Sequence, residues 1–332
     1  MYIVESNPIA VLFTVITMLC WGWWANTQKL TTKSWRFELF YWDYVIGILL
    51  FSLVFGLTLG SSGTEGRSFM ADIQQADSQN ILNAVLGGII FNASNILLVA
   101  AMAIAGMAVA FPVGVGIALV FGVLVNYIND PKGKALFLFV GVALVVIAIL
   151  LDAIAYKKHS KTNKKVSTKG IVLSIAAGVL MSLFYFFVAK SMFANFAVPE
   201  AGKLSPYSAL FFFAIGVFVS NFLFNTIFMK KPVEGTPLNY SDYFKGGFKS
   251  HIMGILGGLI WNLGMSLNIL ASGKAGFAIS YGLGQGATLV AALWGVFVWK
   301  EFKGADKNVN QLILFMFLAY IVGLALIILA GN

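Results

Sequence analysis

The chain has 332 residues, of which 59% are hydrophobic and 11% charged, and its mean hydropathy is +0.87. A soluble domain carries roughly 25% charged residues because its surface must face water, so this composition excludes a soluble enzyme. One cysteine (Cys20) and two histidines (His159, His251) leave no disulfide, zinc cluster or redox pair to expect, and neither a cofactor nor a metal is implied.

The apolar residues fall into uninterrupted runs of about 20, the length that crosses a bilayer core of about 30 Å as a helix. Short alternating stretches of a membrane β-barrel are not seen. In chain order the runs predict ten spans near 8–29, 38–60, 81–103, 107–128, 134–155, 170–190, 206–229, 251–272, 275–298 and 311–331. Tight turns are expected at Ala105–Gly106 and Gly273–Lys274, where consecutive spans nearly touch.

Orientation follows from the basic residues, which favour the cytoplasmic side. Of 22 Lys and Arg, 16 follow odd-numbered spans, six of them (Lys157, Lys158, Lys161, Lys164, Lys165 and Lys169) in one polar linker. The odd loops are therefore expected in the cytoplasm and both termini outside. Residues 1–8 carry Glu5 and no basic residue, unlike the positive start of a cleavable signal peptide. The net charge of +9 thus reads as a topology signal, and nucleic acid drops out as a partner.

Residues 86–120 align without gaps to residues 256–290, with 14 of 35 positions identical, including Gly87/Gly257, Gly88/Gly258, Asn92/Asn262, Gly106/Gly276, Gly114/Gly284 and Gly116/Gly286. Spans 3–4 then correspond to spans 8–9, and the expected fold is an all-α polytopic membrane protein of ten transmembrane helices in two inverted five-helix repeats. The halves are residues 1–156 and 170–332, joined by a basic cytoplasmic linker at 157–169. Inverted repeats are the build of many secondary transporters, which hold their solute between the halves near the midplane.

Polar groups inside spans cost free energy unless satisfied, which makes them the first functional candidates. Asn92 and Asn95 share one helical face, as do Asn262 and Ser266. Amides suit an uncharged polar solute; the alternative is hydrogen bonding between helices. Pro112, Gly114 and Gly116 in span 4, and Gly282, Gly284 and Gly286 in span 9, are crowded enough to loosen or break their helices as gating elements, or else to let helices pack closely. Gln285 and Tyr281 lie within the second stretch and are candidate solute ligands. Asp43 sits about 8 Å inside span 2. Desolvation favours the protonated carboxyl over the carboxylate, the property a proton carrier needs; an ion pair with Lys29 or Arg36 is the rival. Asp152 and Lys190 are near enough to helix ends to snorkel. Trp21 and Trp24 share a face with Gln28 and can form an aromatic cavity wall or an interfacial anchor. Trp261, beside Asn262, is the deeper stacking candidate.

Several short stretches resemble the drug/metabolite transporter superfamily, whose fold is EamA-like, and within it the ureide permease branch. They are Met1 to Ser6, Asp43-Tyr44, Gly87-Gly88 with Asn92, Ala110 to Val113 with Gly116, and Asn126-Tyr127 with Asp130. Trp21-Gly22 and the stretch Lys33 to Glu38 are more similar to the rhamnose–proton symporter and glucose/ribose porter relatives. The resemblance implies proton-coupled uptake of a small neutral polar solute through an inner or plasma membrane, of ureide or nucleobase type first and sugar second, by a monomer or homodimer. A metabolite or drug exporter shares the architecture. A receptor or membrane-embedded enzyme is disfavoured, because no His, Cys or paired-carboxylate constellation is available for chemistry.

Overall fold

A computed structural model describes residues 1–31, 35–105, 107–160, 167–233 and 235–331. Gly106, and with it the first expected turn, lies outside the described residues, as do Lys33 in the porter-like stretch and Lys161, Lys164 and Lys165 of the basic linker. Among the described residues there is no β-strand, and ten helices are long and apolar enough to cross a membrane.

In lipid every backbone N–H and C=O must be satisfied within the segment, so each long apolar run winds into a helix. The order is α1 (Asn7–Lys29), α2 (Phe37–Leu57), a short α3 (Phe69–Gln75), α4 (Ser78–Ala105), α5 (Met107–Asn129), α6 (Ala135–Ser160), α7 (Thr168–Ser191), α8 (Pro206–Lys230), a single turn α9 (Tyr240–Tyr243), α10 (Phe248–Ala275), α11 (Phe277–Gly284), α12 (Ala287–Leu293) with a π-helical turn at Trp294–Val298, and α13 (Lys307–Ala330). Local chemistry sets several starts. Ser205 accepts from Ser208 N–H ahead of Pro206 at the first turn of α8, and Asp306 accepts from Val309 N–H at the start of α13.

The ninth expected span is α11, α12 and the π-helical turn together, broken at Gln285–Gly286. Its mate α5 runs unbroken through Pro112, which corrects the expectation of a break in span 4. Pro112 is the sixth residue of that helix and removes one intrahelical hydrogen bond without breaking it. The second expected turn also moves: α10 continues to Ala275, and the chain reverses at Gly276. Gly276 has φ +88°, and an added Cβ would lie 2.9 Å from Lys132 Cβ, so a residue without a side chain fits there.

The helices pack in matching pairs. α1 runs along α10 and α4 along α7; α2 packs on α10 and α4 on α8; α5 lies on α7, and α1 on α11 and α12. α2 meets α8, and α6 meets α13. Two crossings share one construction. A Cβ on Gly88 would sit 2.0 Å from the Phe213 carbonyl oxygen, and one on Gly258 would sit 2.0 Å from that of Tyr44. Beside them Asn92 Nδ2 donates to Val217 O at 3.2 Å, and Asn262 Nδ2 to Ile48 O at 2.8 Å. Glycines let the backbones touch, and the amide ties them, as small and polar residues do between membrane helices.

The loops after α2 and α7 are also tied together. Asp72, wholly buried, pairs with Arg67 at 2.9 Å and accepts from Ser205 N–H at 2.7 Å. Gln75 donates to Lys203 O and accepts from Gly202 N–H.

Candidate solute and proton site

Between α1, α2, α4, α8 and α10 the side chains form an aromatic cluster. Trp21 and Trp261 stack at 5.9 Å between ring centroids and 13° between planes, and Trp21 Nε1 donates to the Trp261 carbonyl at 3.2 Å. Trp261 is 5% exposed and also meets Phe91 at 4.4 Å, Phe213 at 6.0 Å and Tyr44 at 6.4 Å. Trp24 lies 4.6 Å from Tyr44, which lies 5.2 Å from Tyr41. The spacings follow from the helices: Trp21 and Trp24, Tyr41 and Tyr44, and Phe91 and Asn95 are three or four apart and share faces.

Polar groups border this cluster. Asn95 Nδ2 donates to the Tyr41 hydroxyl at 3.1 Å. The Tyr44 hydroxyl is buried with no hydrogen-bond partner among the described residues. An unpaired buried hydroxyl costs about 1–3 kcal/mol, so Tyr44 holds an uncommitted polar group at the edge of the cluster. In the sequence Tyr44 stands out only as a mark of resemblance, and its i, i+3 relation to Tyr41 is the signal that points to this cluster.

The structure brings together Trp21, Trp261 and Asn95 of the expected site. Asn92 and Asn262 have their amide nitrogens committed across the helix crossings, Asn92 also to Ser220 Oγ at 2.9 Å, the alternative left open from sequence, and their Oδ1 atoms are buried without a partner among the described residues. Ser266 Oγ is in the same condition. Tyr281 is wholly buried and donates to Ala118 O at 3.1 Å and Met181 O at 3.3 Å, which ties α11 to α5 and α7. Gln285 is half-buried at the break between α11 and α12. Its neighbour Gly284 backs onto Trp21, whose Cζ3 would lie 2.8 Å from an added Cβ. Gly286 faces Met18 and Leu324, Gly114 faces Leu98, and Gly116 faces open space with nothing within 4 Å. Lys190 is exposed at the end of α7 and Asp152 half-buried in α6.

Asp43 lies two turns into α2 and is 1% exposed. Its partners are neither Lys29, which pairs with Glu301 at 3.8 Å, nor Arg36, which pairs with Glu38. The expected alternative ion pair is corrected: His251 Nδ1 lies 2.9 Å and 3.1 Å from the two carboxylate oxygens, and the Tyr243 hydroxyl donates to Oδ1 at 2.6 Å. The packing of α2 on α10 brings His251 there, and α9 brings Tyr243. Gly254, whose Cβ would fall 2.3 Å from Asp43 Cβ, makes the approach possible. Burial first, then the Asp43 hydrogen bond and charge, hold the Tyr243 phenol above its ordinary value, so it stays a donor. Trp35 covers the imidazole edge-on at 4.9 Å. The matched crossings place Phe212 at the position matching Asp43 and Ile81 at the position matching His251, so the pair has no counterpart at those positions.

Comparison with known proteins decides the family. The ureide permease family model matches residues 40–169 and 156–330. The chain belongs to the ureide permease family. It is similar to ureide permease 1 of Arabidopsis thaliana, at 24% identity over all of this chain and 99% of that protein, and to ureide permease 2 of the same plant, at 24% identity with the same coverage. Glucose uptake protein GlcU of Bacillus subtilis (strain 168) is 26% identical over 68% of each chain. A protein of known crystal structure superposes with a TM-score of 0.60 over 97% of this chain and 99% of that one, at 16% identity; this likeness concerns the fold alone. The family member is thus a multi-pass membrane protein with a permease architecture.

Proposed function

We propose that this protein is a secondary active transporter that imports a small, flat, neutral polar solute together with a proton. The observation that carries the reading is the stack of half-buried Trp21 on buried Trp261, bordered by the unpaired Tyr44 hydroxyl and by Asn95. A ureide or nucleobase offers a planar face to the indoles and an edge of N–H and C=O groups to a phenol and an amide. The ureide permease relatives support that class first. The glucose uptake relative supports a sugar as the second reading, its apolar face stacking on the same indoles.

In the proposed cycle the solute parts or replaces the indole stack, with Gln285 beside it, and Asp43 carries the proton. The paired helix contacts and the duplicated glycine–asparagine crossings support an inverted repeat of residues 1–156 and 170–332. Rocking of these halves about the crossings would alternate access, and the break at Gln285–Gly286 would give α11 and α12 independent movement. The basic bias supports cytoplasmic odd loops and external termini in an inner or plasma membrane; labelling of single cysteines near residue 5 by an impermeant reagent on intact cells tests that.

The decisive screen is thermal stabilisation of the purified protein by ureides, nucleobases, nucleosides and monosaccharides. Stabilisation by a planar ureide or nucleobase is expected. Stabilisation by lipophilic cations alone would identify an exporter instead. For coupling, Asp43→Asn should abolish accumulation against a gradient and spare exchange of labelled solute; gradient-driven uptake that survives removes Asp43 from the proton path.

A further inference from the structure

We infer that His251 is the proton port of this transporter: the group through which the buried Asp43 carboxyl exchanges its proton with water at the membrane face bearing α9. The inference rests on the reading of Asp43 as proton carrier and adds the route. Asp43 is 1% exposed, whereas the His251 side chain is 24% exposed and in contact with both carboxylate oxygens. The imidazole therefore joins the buried acid to the protein surface, beside the charged α9 turn where Lys245 pairs with Asp242.

The charged and titratable groups around the pair come from each element packed there. α10 supplies His251, α9 supplies Tyr243, and α2 itself carries Glu38, held by Arg36, and Tyr44. At the α9 turn Lys245 is paired with Asp242. None of these besides His251 and Tyr243 hydrogen-bonds the Asp43 carboxylate among the described residues. Tyr243 holds a phenolic proton too firmly to relay it near neutral pH. His251, whose imidazole can take a proton at one ring nitrogen and release one from the other, is the group suited to pass one.

A carboxylate can only accept, so Nδ1 carries the imidazole proton in the observed arrangement. A proton from water joins Nε2 to give the imidazolium. The Nδ1 proton then moves to Asp43 Oδ1, leaving a neutral carboxyl and a neutral imidazole protonated at Nε2. One proton has passed from water to the buried acid, and the reverse sequence returns it. Gly246 lies beside Nε2, where an added Cβ would come within 2.6 Å, so the absence of a side chain there keeps that edge approachable. Tyr243 marks the ionised state, because its bond to Oδ1 is displaced when that oxygen is protonated.

The test uses the full-length protein in lipid nanodiscs and needs no solute. Infrared absorption follows the protonated-carboxyl C=O stretch of Asp43 after a pH jump, assigned as the band missing in Asp43→Asn. His251→Ala and His251→Gln should each slow its appearance roughly tenfold or more, and free imidazole added to His251→Ala should restore the rate. Thermal unfolding of each variant establishes that it is folded, and the glutamine variant keeps a side chain in place if the alanine variant fails. Protonation at the unaltered rate in either folded variant overturns the port, as does a slowed rate that imidazole leaves unchanged. Failure of Asp43→Asn to uncouple transport would overturn the proton-carrier reading while leaving this kinetic result standing, so the two are separable.

Discussion

Trp21 donates its indole N–H to the backbone carbonyl of Trp261 while stacking on that residue's ring, so one contact fixes both the position and the tilt of the aromatic wall. Trp21→Ala removes the stack and the hydrogen bond together. Solute affinity should fall about tenfold or more, which corresponds to roughly 1.4 kcal/mol, read as a raised KM for uptake and loss of thermal stabilisation by solute. Tyr44→Phe should weaken binding while leaving the unliganded protein as stable or more so, since it deletes an unpaired buried hydroxyl.

The asparagines of the two crossings should behave differently. Asn92→Ala and Asn262→Ala each lose hydrogen bonding between membrane helices, on the order of 0.6 to 2 kcal/mol per bond. Both should lower the unfolding midpoint, with Asn92→Ala at least as damaging because it loses bonds to Val217 O and Ser220 Oγ against the one from Asn262 to Ile48 O. The KM should hold; a raised KM at unchanged stability would instead make these amides solute ligands.

Glycine positions separate by what a methyl group would meet. Gly258→Ala places Cβ against the Tyr44 carbonyl, backbone that cannot yield cheaply. Overpacking of this kind costs about 1–3 kcal/mol and occasionally more, and the folded yield in detergent should drop sharply. Gly116→Ala meets nothing within 4 Å and should keep yield and unfolding midpoint unchanged.

The loops after α2 and α7 are joined through a charge. Arg67→Leu leaves Asp72 buried with its Ser205 N–H bond but no counter-ion. Breaking one side of such a pair typically costs about 3–5 kcal/mol, less here because Arg67 is 20% exposed. Arg67→Leu combined with Asp72→Asn should recover much of the loss, measured by thermal unfolding of the single and double variants.

The ten spans are legible because continuous apolar runs have one solution in lipid, and the observed ends lie within a few residues of the expected ones. The short helices α3 and α9 are not, since neither is apolar or long enough to announce itself. The partner of Asp43 is hidden for another reason. Lys29 and Arg36 are near in sequence, but His251 stands 208 positions away and reaches Asp43 only because α10 packs on α2. His251 was visible as one of two histidines and carried no motif. The aromatic wall was half legible: Trp21 and Trp261 stand out by residue type, whereas the role of Tyr44 depends on which neighbours it lacks. The break in span 9 at Gln285–Gly286, against the continuous helix of span 4 that runs through Pro112, shows that matched glycines do not dictate matched backbones.

Asp43 and His251 have Phe212 and Ile81 at their matching places. On the proposed inverted repeat, the acid–base pair therefore stands on one side only, and the two ends of the scaffold are chemically unlike. One end carries a carboxyl and an imidazole, while the other has hydrocarbon side chains at the corresponding positions. In the proposed cycle the gradients of solute and proton still set the direction of net flow; the asymmetry would fix only the face at which the buried carboxyl exchanges its proton fastest.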